Sequence, residues 1–170
     1  GSSVNVKGAT VLLSTEKGDA LDSNGSITVT SVVLVIQGSQ TSPDDAISYR
    51  SSCLISGGVV TAAGATSLAP SLASSQNSVS IRFSSILAPG TIINIQDTSG
   101  SSLWTYKVTK YAYSLVVSAP ALTTATTYNV YTGGSITGSG LNGYYPDGVY
   151  TAGTKRGSFT VSGKVTSITM

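Results

Sequence analysis

The fold is decided by residues 27–64, which read ITVTSVVLVIQGSQTSPDDAISYRSSCLISGGVVTAAG. The stretch contains one pattern twice, since residues 27–38 align without a gap on residues 53–64, and residues 4–15 (VNVKGATVLLST) are an earlier copy. Each copy has apolar residues at its first and third positions, a small residue at its fifth, and then an apolar run. A period of 23–26 residues with two short strands per copy is what a β-solenoid rung requires.

The alignment also predicts which side chains point inward. Strands in stacked rungs pair in parallel, so one column should hold Val4, Ile27 and Cys53. Cys53 is the single cysteine, and at this position we expect it to be a small core residue. The full set of expected inward residues is Val4, Val6, Val11, Leu13, Leu21, Ile27, Val29, Leu34, Ile36, Ile47, Cys53, Ile55 and Val60.

The composition is that of an all-β chain. It has 30 Ser, 22 Thr and 19 Gly, with 40% hydrophobic residues. We predict parallel rungs over residues 1–70 and an antiparallel β-sandwich-like domain over residues 71–170, because alternating strands begin near residue 78. Leu122, followed six residues later by Tyr128 and an alternating strand, resembles the tyrosine corner of immunoglobulin-like and fibronectin-type sandwiches.

Several function classes are excluded or disfavoured by what the chain lacks. It has no His and a single Glu, so a Ser-His or Cys-His nucleophile and an ordinary zinc site are ruled out. The net charge is +2 without a basic cluster, and no long apolar run occurs, so we expect neither nucleic-acid binding nor membrane insertion. Paired Asp carboxylates near Lys17 and Arg50 leave a lyase or hydrolase as an alternative, but we expect no enzyme.

Acidic residues concentrate in the segments that lead into the second and third copies. Asp19 aligns on Asp45, so stacking should bring their carboxylates about 5 Å apart, which is unfavourable without a cation. Ca²⁺ prefers carboxylate, carbonyl and amide oxygens. The candidate ligands are Asp19, Asp22, Asn24, Asp44 and Asp45. The alternative is ordinary turn chemistry, which uses the same residue types.

Aromatic residues are the second candidate site. Sugar rings stack on aromatic faces, and Trp104 and Tyr106 share one strand face by period two, while Tyr144 and Tyr145 lie in a Gly- and Tyr-rich loop over residues 133–157. The predicted carbohydrate-binding residues are Trp104, Tyr106, Tyr144 and Tyr145. The alternative is that one of these faces belongs to the core of the sandwich.

Five segments carry a resemblance to a known family. They are residues 18–29 (GDALDSNGSITV), 55–58 (ISGG), 74–79 (SSQNSV), 128–134 (YNVYTGG) and 157–163 (GSFTVSG). Together they resemble the C-terminal portion of the secreted, clostridial-type carbohydrate-binding parallel β-helix proteins. The resemblance implies a right-handed parallel β-helix, bound calcium, no catalysis, and binding to acidic or cellulose-like plant polysaccharide, and the copies in this chain amount to a short helix of about three rungs.

Two functions of different classes follow as expectations. The first is an extracellular or cell-surface, non-catalytic module that binds a pectin- or cellulose-like polysaccharide and is stabilised by calcium. The second is a structural subunit of a secreted filament. It rests on the first rung, whose unpaired strand edges would template head-to-tail assembly of the chain with itself.

Overall fold

The computed structural model describes residues 2–151 and 153–170 and consists of strands and their connections, with no helix in that part of the chain. The strands are β1 (Ser3–Lys7), β2 (Thr10–Ser14), β3 (Leu21–Ser23), β4 (Ser26–Thr30), β5 (Val32–Gln37), β6 (Ile47–Tyr49), β7 (Ser52–Ile55), β8 (Gly58–Gly64), β9 (Ser78–Leu87), β10 (Ile92–Asp97), β11 (Ser102–Lys107), β12 (Ala112–Ser118), β13 (Thr127–Thr132), β14 (Ser135–Thr137), β15 (Val149–Thr151), β16 (Thr154–Thr160) and β17 (Val165–Thr169). The prediction of an all-β chain is therefore confirmed.

The repeat part, residues 3–64, forms three parallel sets of strands. One set is β1-β4-β7, another is β2-β5-β8 and the third is β3-β6. Val4 pairs with Ile27 and Ile27 with Cys53, while Leu34 pairs with Val60. The columns expected from the sequence alignment are confirmed, because equal positions of successive copies lie side by side.

A single cluster of apolar side chains fills the space between these three sets of strands, and we call it the repeat core. It contains every residue predicted to point inward, together with a few others such as Val116 of β12. Those of the second and third copies are buried, whereas Val4, Val6, Val11 and Leu13 of the first copy are only half-buried. The first copy therefore closes the repeat core less completely than the other two.

The small residue at the fifth position of each copy is a corner between two strands. The φ angle is 64° at Gly8 and 49° at Ser31, a backbone region that favours glycine. In the third copy the corner is Gly57-Gly58, and a Cβ on Gly58 would overlap the Val32 carbonyl oxygen. The break in the apolar pattern thus has a steric cause, since the chain must turn there and approach its neighbour closely.

The apolar run after each corner lies in a six-stranded sheet of order β17-β9-β12-β8-β5-β2. Strands β5 and β8 of this sheet are largely buried on both faces, which explains why they are apolar almost throughout, whereas the edge strand β2 alternates between exposed and half-buried residues. In β5, Leu34 and Ile36 belong to the repeat core, whereas Val35 belongs to a second cluster on the opposite face.

That second cluster, the inter-sheet core, lies between the six-stranded sheet and a four-stranded sheet of order β11-β10-β13-β16. Strand pairing after residue 78 is antiparallel as expected, except that β17 runs parallel to β9. The Tyr128 hydroxyl donates to the Ala121 carbonyl at 2.8 Å and accepts from the Thr123 N–H at 3.0 Å. The tyrosine corner suggested by the sequence is therefore formed.

Regular strand pairing crosses the predicted domain boundary and also occurs within the predicted long loop. The division at residues 70 and 71 remains a prediction about folding units, but the six-stranded sheet crosses it, because β12 pairs with β8. The segment expected to be a loop, residues 133–157, instead contains the hairpin β14–β15 and the start of β16.

Within the described residues, no helix is long and apolar enough to cross a membrane.

Candidate functional site

Two of the four predicted sugar-binding aromatics are core residues. Trp104 and Tyr106 are 2% and 1% exposed, and their rings stack with centroids 5.8 Å apart in the inter-sheet core. The Trp104 indole N–H donates to the Thr61 hydroxyl at 2.9 Å, and burial raises the pKa of Tyr106 to about 12. Neither ring offers a face to a ligand, so the alternative interpretation, a strand face turned toward the core, corrects the prediction for both.

Tyr144 is also withdrawn from solvent. Its backbone exchanges hydrogen bonds with Leu141, at 3.0 Å from the Tyr144 N–H and 2.6 Å from the Leu141 N–H, and its side chain joins the inter-sheet core. Burial, followed by the negative charge of Asp147, raises the pKa of the Tyr144 phenol. The prediction that Tyr144 contacts sugar is therefore corrected as well, because its buried side chain packs the loop against the inter-sheet core.

Tyr145 is the one member of the predicted set that is only half-buried, and it borders an open cleft of about 450 Å³. The cleft lies between the loop after β14, the turn before β10 and the end of β11 with the residues that follow it. Its lining includes Pro89, Lys107, Thr109, Gly140, Gly143 and Tyr145.

Glycines allow the loop to place this ring. A Cβ on Gly140 would lie 2.9 Å from the Tyr145 ring, and Gly143 has a φ of 93°. The Gly143 carbonyl also accepts the Lys107 N–H at 2.7 Å, which ties the loop to β11. The result is an aromatic ring beside the exposed Lys107, in a cleft open to solvent.

The acidic candidates are brought together only in part. The Asp19 carboxylate accepts the Asp45 N–H at 2.6 Å, and the Asp44 carboxylate accepts the Gly18 N–H at 2.8 Å. Partial burial, and after it repulsion from Asp19 and Asp44, raises the pKa of Asp45. The stacking of Asp19 on the next copy is as expected, but the Asp19 and Asp44 carboxylates already accept backbone N–H groups of the neighbouring copy.

Asp22 and Asn24 do not complete the expected ligand set. Both are exposed, and Asp22 pairs in register with Ser48, so its column holds no second carboxylate. Within the described part of the chain, no group of three or more His, Cys, Asp or Glu side chains is arranged to hold a metal ion. The five predicted ligands are thus not brought together at one place; Asp19, Asp44 and Asp45 lie near one another, and calcium binding stays a prediction.

A second cleft was not foreseen from the sequence. It has a volume of about 390 Å³ and lies where the connector after β8 meets the turn before β13. Its lining includes Ser56, Ser75, Gln76, Asn77, Pro120 and Thr124. The only signal in the sequence was the polar triplet at residues 75–77, which looks like any other part of a Ser-rich connector.

The two ends of the stacked copies differ. At the third copy, the Cys53 N–H donates to the Ser71 hydroxyl at 2.9 Å and the Ile55 N–H to the Ser74 hydroxyl at 3.1 Å, so the connector covers β7. At the first copy, no described strand pairs with the outer edges of β1 and β2. Among the described residues, β1 and β2 are therefore edge strands.

No protein-family model, curated protein or solved structure matches the chain. Inference about function therefore rests on the geometry of this chain. Its candidate ligand-binding features are the Tyr145 cleft, the cleft at Asn77 and the open strand edges of the first copy.

Proposed function

We propose that this protein is an extracellular, non-catalytic module that binds polysaccharide through the cleft at Tyr145. One observation carries the proposal: of the four aromatic residues predicted to contact sugar, Tyr145 keeps a partly exposed side chain and lies in a cleft beside a cation. Charged residues make up only 9% of the chain, and this low fraction and the Ser- and Thr-rich composition support an extracellular setting.

The chemistry of this cleft favours an acidic sugar. An aromatic face packs against the C–H groups of a pyranose, and the Lys107 ammonium can pair with a uronate carboxylate. Open clefts with a few convergent polar groups are the usual form of small-ligand sites. We therefore expect a pectin-like chain to bind more tightly here than a cellulose-like chain, and more weakly at high salt because the ion pair is exposed.

The finer description of the fold is part of the same proposal. We infer that the repeat part is a short right-handed parallel β-helix of about three rungs, followed by an immunoglobulin- or fibronectin-like sandwich. The parallel columns and the Tyr128 corner support this, and right-handed crossovers between parallel strands are by far the more common. This architecture agrees with the family that the sequence resembles.

Calcium enters as a further part of the proposal at Asp19, Asp44 and Asp45, with backbone carbonyls and water supplying the remaining oxygens, because the three carboxylates alone do not form a metal site among the described residues. Each carboxylate retains unused lone pairs, and a cation would relieve the repulsion from Asp19 and Asp44 that, after partial burial, raises the pKa of Asp45. If calcium binds here, it should raise the melting temperature and EDTA should reverse the rise. A melting temperature that does not respond to calcium would remove the ion from the proposal.

The binding proposal is tested by affinity electrophoresis in gels containing polygalacturonate or soluble cellulose derivatives, with and without EDTA. Tyr145→Ala should abolish retention by polygalacturonate, and Lys107→Gln should weaken it selectively for the acidic polymer. Tyr111→Ala is the matched control, because Tyr111 is an exposed tyrosine outside the cleft. Equal mobility of the wild-type protein with and without every polymer would refute the proposal.

A filament subunit is the second candidate, and the open first copy favours it. The outer edges of β1 and β2 offer unpaired backbone groups, and half-buried Val4 and Val11 lie beneath them. Electron microscopy and light scattering over a concentration series distinguish this candidate from a binding module. Filaments that disappear when Asn5 and Leu12 are replaced by Pro would support it, whereas monodisperse particles at high concentration would exclude it.

A further inference from the structure

The cleft where the connector after β8 meets the turn before β13 has the chemistry of a binding site for a neutral ligand. Its walls carry hydroxyl and amide groups from Ser56, Ser75, Gln76 and Thr124, with Pro120 as an apolar surface. No Asp, Glu, Lys or Arg lines it among the residues that the structure describes. The lining itself offers no counter-charge to a charged ligand, and the Lys164 ammonium beside it already donates to the Ser75 carbonyl at 2.7 Å, whereas a polyol would find donors and acceptors.

Asn77 provides an acceptor that the protein itself does not use. The residue is 9% exposed and lies on the wall of the cleft. Its Nδ2 donates to the Leu122 carbonyl at 2.8 Å and to the Thr124 hydroxyl at 3.2 Å, but its Oδ1 has no hydrogen-bond partner among residues 2–151 and 153–170. Exchanging the amide oxygen and nitrogen would set two oxygens against each other at Leu122, so the orientation is determined.

An unpaired buried acceptor costs about 1–3 kcal/mol, and a ligand hydroxyl that donates to it recovers that energy. Oδ1 itself is shielded from solvent, so a hydroxyl reaches it only when the wall of the cleft opens slightly. The turn at residues 123–125 is the exposed part of that wall, and Ala125 within it has a φ of 62°. Exposing the acceptor therefore requires a displacement of this turn against the hydrogen bonds that the Thr123 and Ala125 N–H groups donate to the Tyr128 hydroxyl and the Val161 carbonyl.

The cleft does not end at Pro120. The same residue borders an open groove of about 550 Å³ that runs over the corners of the three copies, past Thr10, Val33 and Val59. The lining of this groove is also uncharged, with half-buried valines for the C–H faces of a sugar. A cleft that continues into a groove accommodates a linear polymer better than a single small molecule.

We propose that the Asn77 cleft is a second glycan site, which holds one unit of a neutral polysaccharide through a hydroxyl that donates to Asn77 Oδ1. The adjoining units of the chain lie along the groove beyond Pro120. This site is separate from the Tyr145 cleft and favours the opposite chemistry, because its lining holds no cation that could pair with a uronate. It does not require that the Tyr145 cleft bind anything.

The experiment is an NMR titration of ¹⁵N-labelled protein with cellohexaose as the neutral probe and trigalacturonate as the acidic one. Cellohexaose should shift the backbone amides of Gln76 and Asn77 and the Asn77 side-chain amide in a saturable manner. Ser75→Phe fills the cleft from an exposed position, and the affinity for cellohexaose obtained from these shifts should fall by about tenfold or more. Ser85→Phe, exposed on β9 and outside the cleft, is the matched control and should leave them unchanged.

Three outcomes would overturn the proposal: no saturable shift at Asn77 with cellohexaose, equal affinity in Ser75→Phe and wild type, or equal shifts with trigalacturonate. The amide shifts that cellohexaose causes in the wild-type protein test the proposal even if Ser75→Phe does not fold. The Tyr145→Ala protein separates the two sites. Retention by polygalacturonate should fail in that variant while the cellohexaose shifts at Asn77 persist; loss of those shifts too would contradict a separate second site.

Discussion

Replacing Leu34 by Ala tests whether the six-stranded sheet joins the repeat part and the sandwich strands into one cooperative unit. Leu34 is fully buried in the repeat core and pairs in register with Val11 and Val60. Its neighbour Val35 faces the inter-sheet core from the same strand. Any loosening of β5 is therefore felt on both faces of the sheet.

The expected cost is about 3 kcal/mol. Large-to-small substitutions at fully buried leucines cost about 2–5 kcal/mol, because the transfer energy of the lost methyl groups adds to the cavity they leave. Parallel neighbours on both sides of Leu34 limit how far the site can collapse. For a chain of this length, such a loss lowers the melting temperature by about 6–12 °C.

The assay compares thermal melts followed by far-UV circular dichroism and by tryptophan fluorescence. Trp104 is the single tryptophan and lies in the inter-sheet core, on the face of the sheet opposite to Leu34, where its indole N–H donates to Thr61 of β8. Both signals should fall together at the lowered temperature. Leu72→Ala, at a leucine that is 75% exposed, should change stability by less than about 0.5 kcal/mol. A fluorescence midpoint that stays at the wild-type value would refute the reasoning and support separate folding units divided near residue 70.

Three shorter predictions follow from single residues. Cys53, 1% exposed and with its pKa raised by burial to about 11, should not react with a thiol reagent at pH 8 until the protein unfolds; rapid labelling of the native protein would contradict its place in the core. Tyr128→Phe should cost about 1–2 kcal/mol in urea melts, because the Thr123 N–H loses its acceptor, and an unchanged midpoint would show that the corner adds no stability. In EDTA, Asp45→Asn should be as stable as wild type near pH 3 and slightly more stable at pH 7. The raised pKa of Asp45 contributes stability below the unfolded-state value of about 3.9 that is lost as the pH rises through the folded-state pKa. A variant less stable than wild type at pH 7 in EDTA would contradict the view that burial, and after it the charges of Asp19 and Asp44, makes the ionised Asp45 unfavourable.

The repeat was predictable because its signal is local and is written three times. Small residues at the corners, apolar residues at alternate positions and the alignment of Ile27 on Cys53 all act through neighbouring backbone and side chains. The candidate sites were less predictable. Period two correctly put Trp104 and Tyr106 on one face of β11, but alternation cannot say whether that face meets solvent or another sheet.

The sequence by itself determined the all-β class, the register of the three copies, the inward residues and the tyrosine corner, since each depends on spacing along the chain. Only the tertiary structure decided what covers each face. In the tertiary structure, the apolar run of β5 contributes side chains to a core on each face of its sheet. Tyr145 borders a cleft, whereas the neighbouring Tyr144 is buried. The tertiary structure also isolated the Asn77 acceptor beside a turn 45 residues away in sequence. Such contacts join segments that are distant in sequence, so no local pattern encodes them.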